Sequence, residues 1–93
     1  MPSLLITGAN RGIGLEFTRQ YLSDGWRIYA CCRAPEKADT LKKLAEGFSD
    51  QLSIYRMDVR NGDEVSAVAE ALNGIPIDIL INNAGIVDSY GRG

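Results

Sequence analysis

The stretch that decides the fold reads TGANRGIG over residues 7–14, and it places three glycines within seven residues. It follows an apolar, strand-like run that begins near Ser3, and it leads into a helix-like segment from about Gly12 to Ser23. Because glycine has no Cβ, Gly8 can form the sharp turn between strand and helix, and Gly14 lets the helix lie near the strand. The first helical turn then directs free N–H groups, with the positive end of the helix dipole, into the space above the strand. This geometry favours a bound pyrophosphate.

Strand-like and helix-like segments alternate along the rest of the chain. Further apolar runs begin near Arg27, Leu52 and Ile77, at nearly equal intervals. The segments between the runs carry apolar residues at helical spacing, which predicts helices with one buried face each. We expect these faces to comprise Ile13, Phe17 and Tyr21 with Leu15 and Leu22 in the first helix, Leu41, Leu44, Ala45 and Phe48 in the second, and Val65, Val68, Ala69 and Leu72 in the third. A capping box of Asn61 and Glu64 should begin the third helix.

The strand-like runs are too continuously apolar for strands with one face in water. They indicate parallel strands covered on both sides, so the predicted class is α/β. Periodicity alone leaves two architectures open, the doubly wound open sheet and the eight-fold barrel. The loop motifs must therefore distinguish them.

Composition and charge exclude several classes of protein. The chain has 93 residues, 45% apolar and 24% charged, which is ordinary for one globular domain. A net charge of −2 gives no basic face for nucleic acid. The longest apolar run, residues 28–32, is far shorter than a membrane-spanning helix, and no leader precedes the first strand-like run. We therefore expect a cytoplasmic protein with no nucleic-acid or membrane partner. Cys31 and Cys32 should be buried, reduced thiols, and we expect no metal site, since the chain has no histidine.

The glycine pattern, TGxxxGxG, resembles the cofactor loop of the short-chain dehydrogenase/reductase family. It is wider than the common GxGxxG fingerprint, and it lacks the GKS or GKT ending of a P-loop, which disfavours ATP or GTP hydrolysis. Two further signals are similar to those of the family and follow in its order. Residues 82–85 read NNAG, and Asp58-Val59 matches the acidic and apolar pair that borders the family's adenine pocket.

The resemblance implies a Rossmann-type doubly wound parallel sheet with strand order 3-2-1-4 and a ligand crevice between the first and fourth strands. It also implies an oxidoreductase that transfers hydride between a nicotinamide cofactor and a carbonyl or secondary alcohol. The residues expected to bind the cofactor are Gly8, Asn10, Arg11, Gly12, Ile13, Gly14, Arg33, Asp58, Val59, Asn83, Ala84 and Gly85. Asn82 is expected to be structural. Two other interpretations stay open: the glycine loop has only a packing role, and Asp58 only caps a turn near Asn61.

The end of the second strand bears on the choice of cofactor. It reads Cys32-Arg33-Ala34, with no acidic residue before Glu36. A carboxylate there would repel a 2′-phosphate, whereas a guanidinium can donate two hydrogen bonds to it. Arg11 could approach the same phosphate from the glycine loop. Family members with basic residues at these two positions generally use NADP(H), so we predict NADP(H) in preference to NAD(H). The alternative is that both arginines are solvated surface residues.

The catalytic Ser and Tyr-x-x-x-Lys of the family have no counterpart here. None of Tyr21, Tyr29 and Tyr55 has a lysine four residues later. We therefore interpret residues 1–93 as the amino-terminal portion of a single dinucleotide-binding domain, a fragment that is inactive alone. A non-catalytic dinucleotide-binding or regulatory module and an assembly protein are the alternative functions.

The fourth strand would form an exposed apolar edge in such a portion, and an edge of this kind recruits partners. We expect a homo-oligomer, or completion by a missing carboxyl-terminal segment, and a small carbonyl or alcohol substrate for the complete protein.

Overall fold

The computed structural model describes residues 1–10 and 12–83. Strands and helices alternate throughout, as the periodicity predicts. In chain order the elements are β1 (Ser3–Thr7), α1 (Gly12–Ser23), β2 (Arg27–Cys32), a short 3-10 turn (Pro35–Lys37), α2 (Asp39–Gly47), β3 (Leu52–Arg56), α3 (Gly62–Ala71) and β4 (Ile79–Asn82). None of the helices in these ranges has the length and apolarity that a bilayer crossing would need.

The described strands form one parallel sheet in the order β3-β2-β1-β4. β1 lies inside the sheet, where Leu5 is opposite Tyr29 of β2 on one side and Leu80 of β4 on the other. A barrel would pair its strands in chain order, so the observed order confirms the α/β doubly wound prediction. The chain moves outward from β1 to β3 and then returns past β1 to form β4. The carboxyl ends of β1 and β4 therefore flank the point where the winding direction changes, which is where such sheets bind ligands.

Each face of the sheet supplies part of the core. One face packs under α1 and α2, and its fully buried side chains include Leu4, Ile6, Leu22, Ile28 and Leu41. The other face packs against α3 through Tyr29, Cys31, Met57, Val68 and Leu72. Full burial of one leucine or isoleucine side chain contributes about 1.5–3 kcal/mol. Successive side chains of β2 point to opposite faces of the sheet, and both faces are covered by helices. The sequence of β2 is therefore apolar at every position from residue 28 to residue 32.

The predicted buried face of α1 is wrong in part. Ile13 is 68% exposed and Phe17 is 37% exposed. The predicted Leu22 is buried, and Leu15 and Tyr21 pack against the core, as expected. The helix also buries Gly14 and Thr18, which the prediction did not include. The first turn of α1 packs so closely on Gly8 that position 14 has no room for a Cβ. Thr18, one turn later, is fully buried, and its Oγ1 donates to the Gly14 carbonyl at 2.9 Å. The prediction used apolar spacing alone, and it therefore included the larger Ile13 and Phe17, which lie on the exposed side of the helix.

The second helix follows its prediction closely, whereas the third follows it only in part. Leu41 of α2 is fully buried, and Leu44, Ala45 and Phe48 pack beside it. In α3, Val68 and Leu72 are buried, whereas Val65 and Ala69 are exposed.

The predicted capping box of α3 is half right. The Asn61 side chain accepts from the backbone N–H groups of Asp63 and Glu64, as an N-cap residue should. The Glu64 carboxylate, however, accepts from the Asp58 backbone N–H at 2.8 Å and not from that of Asn61. Glu64 therefore links α3 by a hydrogen bond to the loop that follows β3.

Cys31 and Cys32 are free thiols and both are buried, as expected. They are consecutive in β2, so their side chains lie on opposite faces of the sheet. Burial raises the pKa of Cys31 to about 12, and the neighbouring Cys32 adds to the effect. Burial also raises the pKa of Cys32. Both thiols are therefore protonated at neutral pH and belong to the core.

Candidate cofactor-binding site

The glycine loop joins β1 to α1 through two left-handed backbone positions. Gly8, directly after β1, has φ 65°, and Gly12, the first residue of α1, has φ 57°. Other residue types adopt this conformation at a cost of about 1–2 kcal/mol. A Cβ added at Gly12 would meet nothing within 4 Å, so the backbone angle and not crowding requires glycine there. The open space beside this backbone lies at the N-terminus of α1, where helix geometry leaves N–H groups for an anion.

Gly14 is required for a different reason, which is close packing. An added Cβ would overlap the Gly8 carbonyl oxygen and would lie 2.7 Å from Asn83 Nδ2. The first turn of α1 therefore rests directly on the loop that precedes it. This contact agrees with the predicted role of Gly14.

Both described residues of the NNAG motif bind the end of β1. Thr7 Oγ1 donates to Asn82 Oδ1 at 3.0 Å, which agrees with the structural role predicted for Asn82. Asn83 is 6% exposed, and its Nδ2 donates to the Gly8 carbonyl at 3.1 Å. Asn83 was predicted to line the cofactor, and in this structure it contributes by fixing the carbonyl of the glycine loop. The sequence motif indicated a functional residue but could not identify this partner.

Asp58 lies two residues beyond β3, and its carboxylate is engaged by Arg60. It accepts from the Arg60 backbone N–H at 2.9 Å and from the Arg60 guanidinium at 3.1 Å. The side-chain and backbone hydrogen bonds from Arg60 lower the pKa of Asp58. These contacts match the turn-capping interpretation of Asp58, and its predicted contact with adenine stays a prediction. Val59 packs beside the core face that α3 covers.

Arg33 follows β2 directly, is exposed, and lies beside a second arginine that the sequence prediction missed. Arg56 ends β3 opposite Cys32, and its Nη1 donates to the Arg33 carbonyl at 3.2 Å. Arg56 Nη2 also pairs with Glu36 Oε1 at 2.7 Å. The Arg33 guanidinium lies outside the described ion pairs Arg56–Glu36 and Arg60–Asp58. The predicted strand order could have revealed Arg56, because it places the end of β3 next to the end of β2.

All the described candidate residues lie at one edge of the sheet, because the carboxyl ends of parallel strands share an edge. The end of β1 contributes Gly8, Asn10, Gly12, Ile13 and Gly14, β4 contributes Asn83, β2 contributes Arg33, and the loop after β3 contributes Asp58 and Val59. Arg11, Ala84 and Gly85 lie outside the described residues. The four strand ends span three spacings of about 4.8 Å, or roughly 14 Å. The edge therefore suits an elongated ligand with anionic groups at the glycine loop and near Arg33.

Comparison with known proteins identifies the family. The sequence model described as short chain dehydrogenase matches residues 3–92, so the chain belongs to the short-chain dehydrogenase family. It is 39% identical over 88 residues to (+)-neomenthol dehydrogenase of Arabidopsis thaliana, covering 88% of this chain and 30% of that protein. It is 38% identical over 88 residues to the NADP-dependent 3-hydroxy acid dehydrogenase YdfG of Escherichia coli (strain K12), covering 89% of this chain and 33% of that protein.

Solved structures agree with the observed fold. The chain superimposes on a carbonyl reductase from Pseudomonas aeruginosa PAO1 in complex with NADP with a TM-score of 0.84 and 34% identity, covering 88% of this chain and 37% of the reductase. The chain thus spans about a third of the length of the curated relatives it matches.

Proposed function

We propose that this chain is the NADP(H)-binding part of a short-chain oxidoreductase that transfers hydride between nicotinamide and a carbonyl or secondary alcohol. The observation that carries the proposal is the Gly8–Gly14–Asn83 contact, which fixes the glycine loop at the crevice between β1 and β4. The loop presents an open, left-handed Gly12 at a helix N-terminus, where a phosphate group is favoured. Membership of the family and NADP-bound structural relatives support the same function.

This chain's part in the reaction is to bind and orient the cofactor. Backbone N–H groups of the first turn of α1 would hold the pyrophosphate, with the helix dipole adding an effective charge of about +0.5. The bound cofactor supplies or accepts the hydride. Asn83 holds the Gly8 carbonyl in place through its Nδ2. The residues proposed to contact the cofactor outside the loop are Arg33, Asp58, Val59, Asn83, Ala84 and Gly85.

Arg33 is proposed to select NADP(H) over NAD(H). It is exposed at the strand-end edge, and its guanidinium can donate two hydrogen bonds to a 2′-phosphate. Hydrogen bonds to charged groups contribute about 1.5–3 kcal/mol, so the contact favours NADP(H) by roughly ten- to a hundredfold. Arg11, from the glycine loop, is proposed to add to the same contact.

A titration with NADPH, followed by nicotinamide fluorescence, tests the proposal. We expect saturable binding that Gly12→Ala weakens, because the new side chain disfavours the left-handed backbone of the loop. Gly47→Ala is the matched control, since Gly47 also has open space around it but lies at the end of α2, away from the loop. Absence of saturable binding by folded protein, or equal binding by both variants, would contradict the proposal.

A non-catalytic dinucleotide-binding or regulatory module is the second candidate. Both candidates predict NADPH binding, and only the first predicts that the complete protein oxidises NADPH with a carbonyl substrate.

The apolar edge supports a proposal about partners. Leu80 of β4 is 68% exposed, and β4 pairs with β1 on one side within the described sheet. The edge is proposed to bind a further segment of the same protein or a second copy of the chain.

A further inference from the structure

Arg56 connects the end of β3 to the segment that carries Arg33. One guanidinium nitrogen donates to the Arg33 carbonyl at 3.2 Å, and the other pairs with the Glu36 carboxylate at 2.7 Å. The same segment is held from the other side by Lys42, whose Nζ donates to the Glu36 carbonyl at 3.0 Å. The segment after β2 is therefore held at Arg33 and at Glu36.

Glu36 creates an electrostatic problem for a cofactor with a 2′-phosphate. It lies three residues after Arg33, and a phosphate monoester carries about −1.5 to −2 charges at neutral pH. A hydrogen bond from its own backbone N–H lowers the pKa of Glu36, and the charge of Arg56 lowers it further. Glu36 is therefore a carboxylate at neutral pH, and it would repel the phosphate if Arg56 did not pair with it.

We propose that Arg56 is a positioning residue for NADP(H) selection, because it neutralises Glu36 and holds the main chain of Arg33 at the strand-end edge. The inference rests on the proposed function and adds a specificity residue to it. Arg56 acts through Arg33 and Glu36 and does not touch the phosphate. Its effect therefore depends on the charge of Glu36, whereas the effect of a direct phosphate ligand would not.

A double-mutant cycle tests this dependence through dissociation constants for NADP+ and NAD+, measured by calorimetry. Arg56→Gln leaves Glu36 unpaired, so we expect NADP+ to bind about two- to fivefold more weakly while NAD+ changes less than about 1.5-fold. Glu36→Gln alone completes the cycle. Adding Arg56→Gln to Glu36→Gln should then cost little NADP+ affinity, because the repulsion is already removed. Arg56→Lys keeps the charge and should lose less than Arg56→Gln.

The matched control is Arg19→Gln. Arg19 pairs with Glu16 at 2.6 Å and is 55% exposed, the same fraction as Arg56. It lies about 10 Å along α1 from Gly12, so the substitution should leave both affinities unchanged.

The outcomes separate the inference from the proposed function. An NADP+-specific loss that Arg56→Gln no longer causes once Glu36→Gln is present supports the positioning role. A loss of equal size with and without Glu36 makes Arg56 a direct ligand, and an equal loss for both coenzymes makes its role purely structural; either result overturns the inference. If Arg56→Gln leaves the ratio of NADP+ to NAD+ affinity unchanged, the inference about Arg56 is overturned and the proposed function is not. Wild-type protein that binds neither coenzyme refutes the proposed function as well.

Discussion

Replacing Gly14 with alanine tests how tightly α1 rests on the glycine loop. The new Cβ would overlap the Gly8 carbonyl oxygen and approach Asn83 Nδ2 to 2.7 Å. Overpacking of this kind costs about 1–3 kcal/mol, and loss of the Asn83–Gly8 hydrogen bond costs about 0.5–1.5 kcal/mol. We therefore expect the free energy of unfolding to fall by about 2–4 kcal/mol. In a domain of this size that loss lowers Tm by at least about 8 °C.

Trp26, the only tryptophan, reports the unfolding by its fluorescence in urea, since its ring packs edge-on against Tyr21 with centroids 4.9 Å apart. The control is Gly47→Ala, where an added Cβ meets nothing within 4 Å and alanine is the better helix former. We expect this variant to be unchanged or up to about 1 kcal/mol more stable. If Gly14→Ala destabilises the protein no more than the control, the close contact between helix and loop is not as described.

Three further predictions follow from other parts of the molecule. Arg33→Asp should lower the NADP+ affinity relative to NAD+ by roughly ten- to a hundredfold, and an unchanged ratio of dissociation constants would remove Arg33 from the 2′-phosphate site. Because burial raises the pKa of Cys31 to about 12, its thiol should react with Ellman's reagent at pH 8 only after unfolding. The unfolded thiol ionises near pH 9 while the folded one keeps its proton, so stability should fall by about 1.4 kcal/mol per pH unit from pH 9 to about 12. Rapid reaction of the native protein, or a flat stability profile, would place the thiol near the surface. Leu80→Lys should reduce self-association in analytical ultracentrifugation, because a charge on an exposed edge strand opposes pairing. Equal association of the two proteins would exclude this edge as the contact.

The fold could be predicted because its signals are local and periodic. The apolar runs locate the strands, and the glycine loop marks the start of α1, whose observed bounds are the predicted ones. Strand order came from the family resemblance, since spacing alone left the barrel open. Part of the buried face of α1 was missed because it consists of the small residues Gly14 and Thr18, which carry no apolar signal.

The candidate site was predicted less completely, because its contacts join residues that are distant in sequence. Asn83 was expected at the cofactor, but its partner Gly8 lies 75 residues away and could not be identified from a motif. Arg56 was missed because its role depends on the pairing of β3 with β2, which places it opposite Cys32.

The central claim is that the edge formed by the glycine loop and Arg33 binds NADP(H). Amide chemical shifts of the ¹⁵N-labelled chain, recorded during titration with NADP+ and separately with NAD+, test it most directly. We predict that both coenzymes shift the Gly8, Gly12 and Ile13 signals in a saturable way and that NADP+ also shifts Arg33 at lower concentration. Signals of the loop that stay unchanged with both coenzymes, or shifts confined to other surfaces, would contradict the claim.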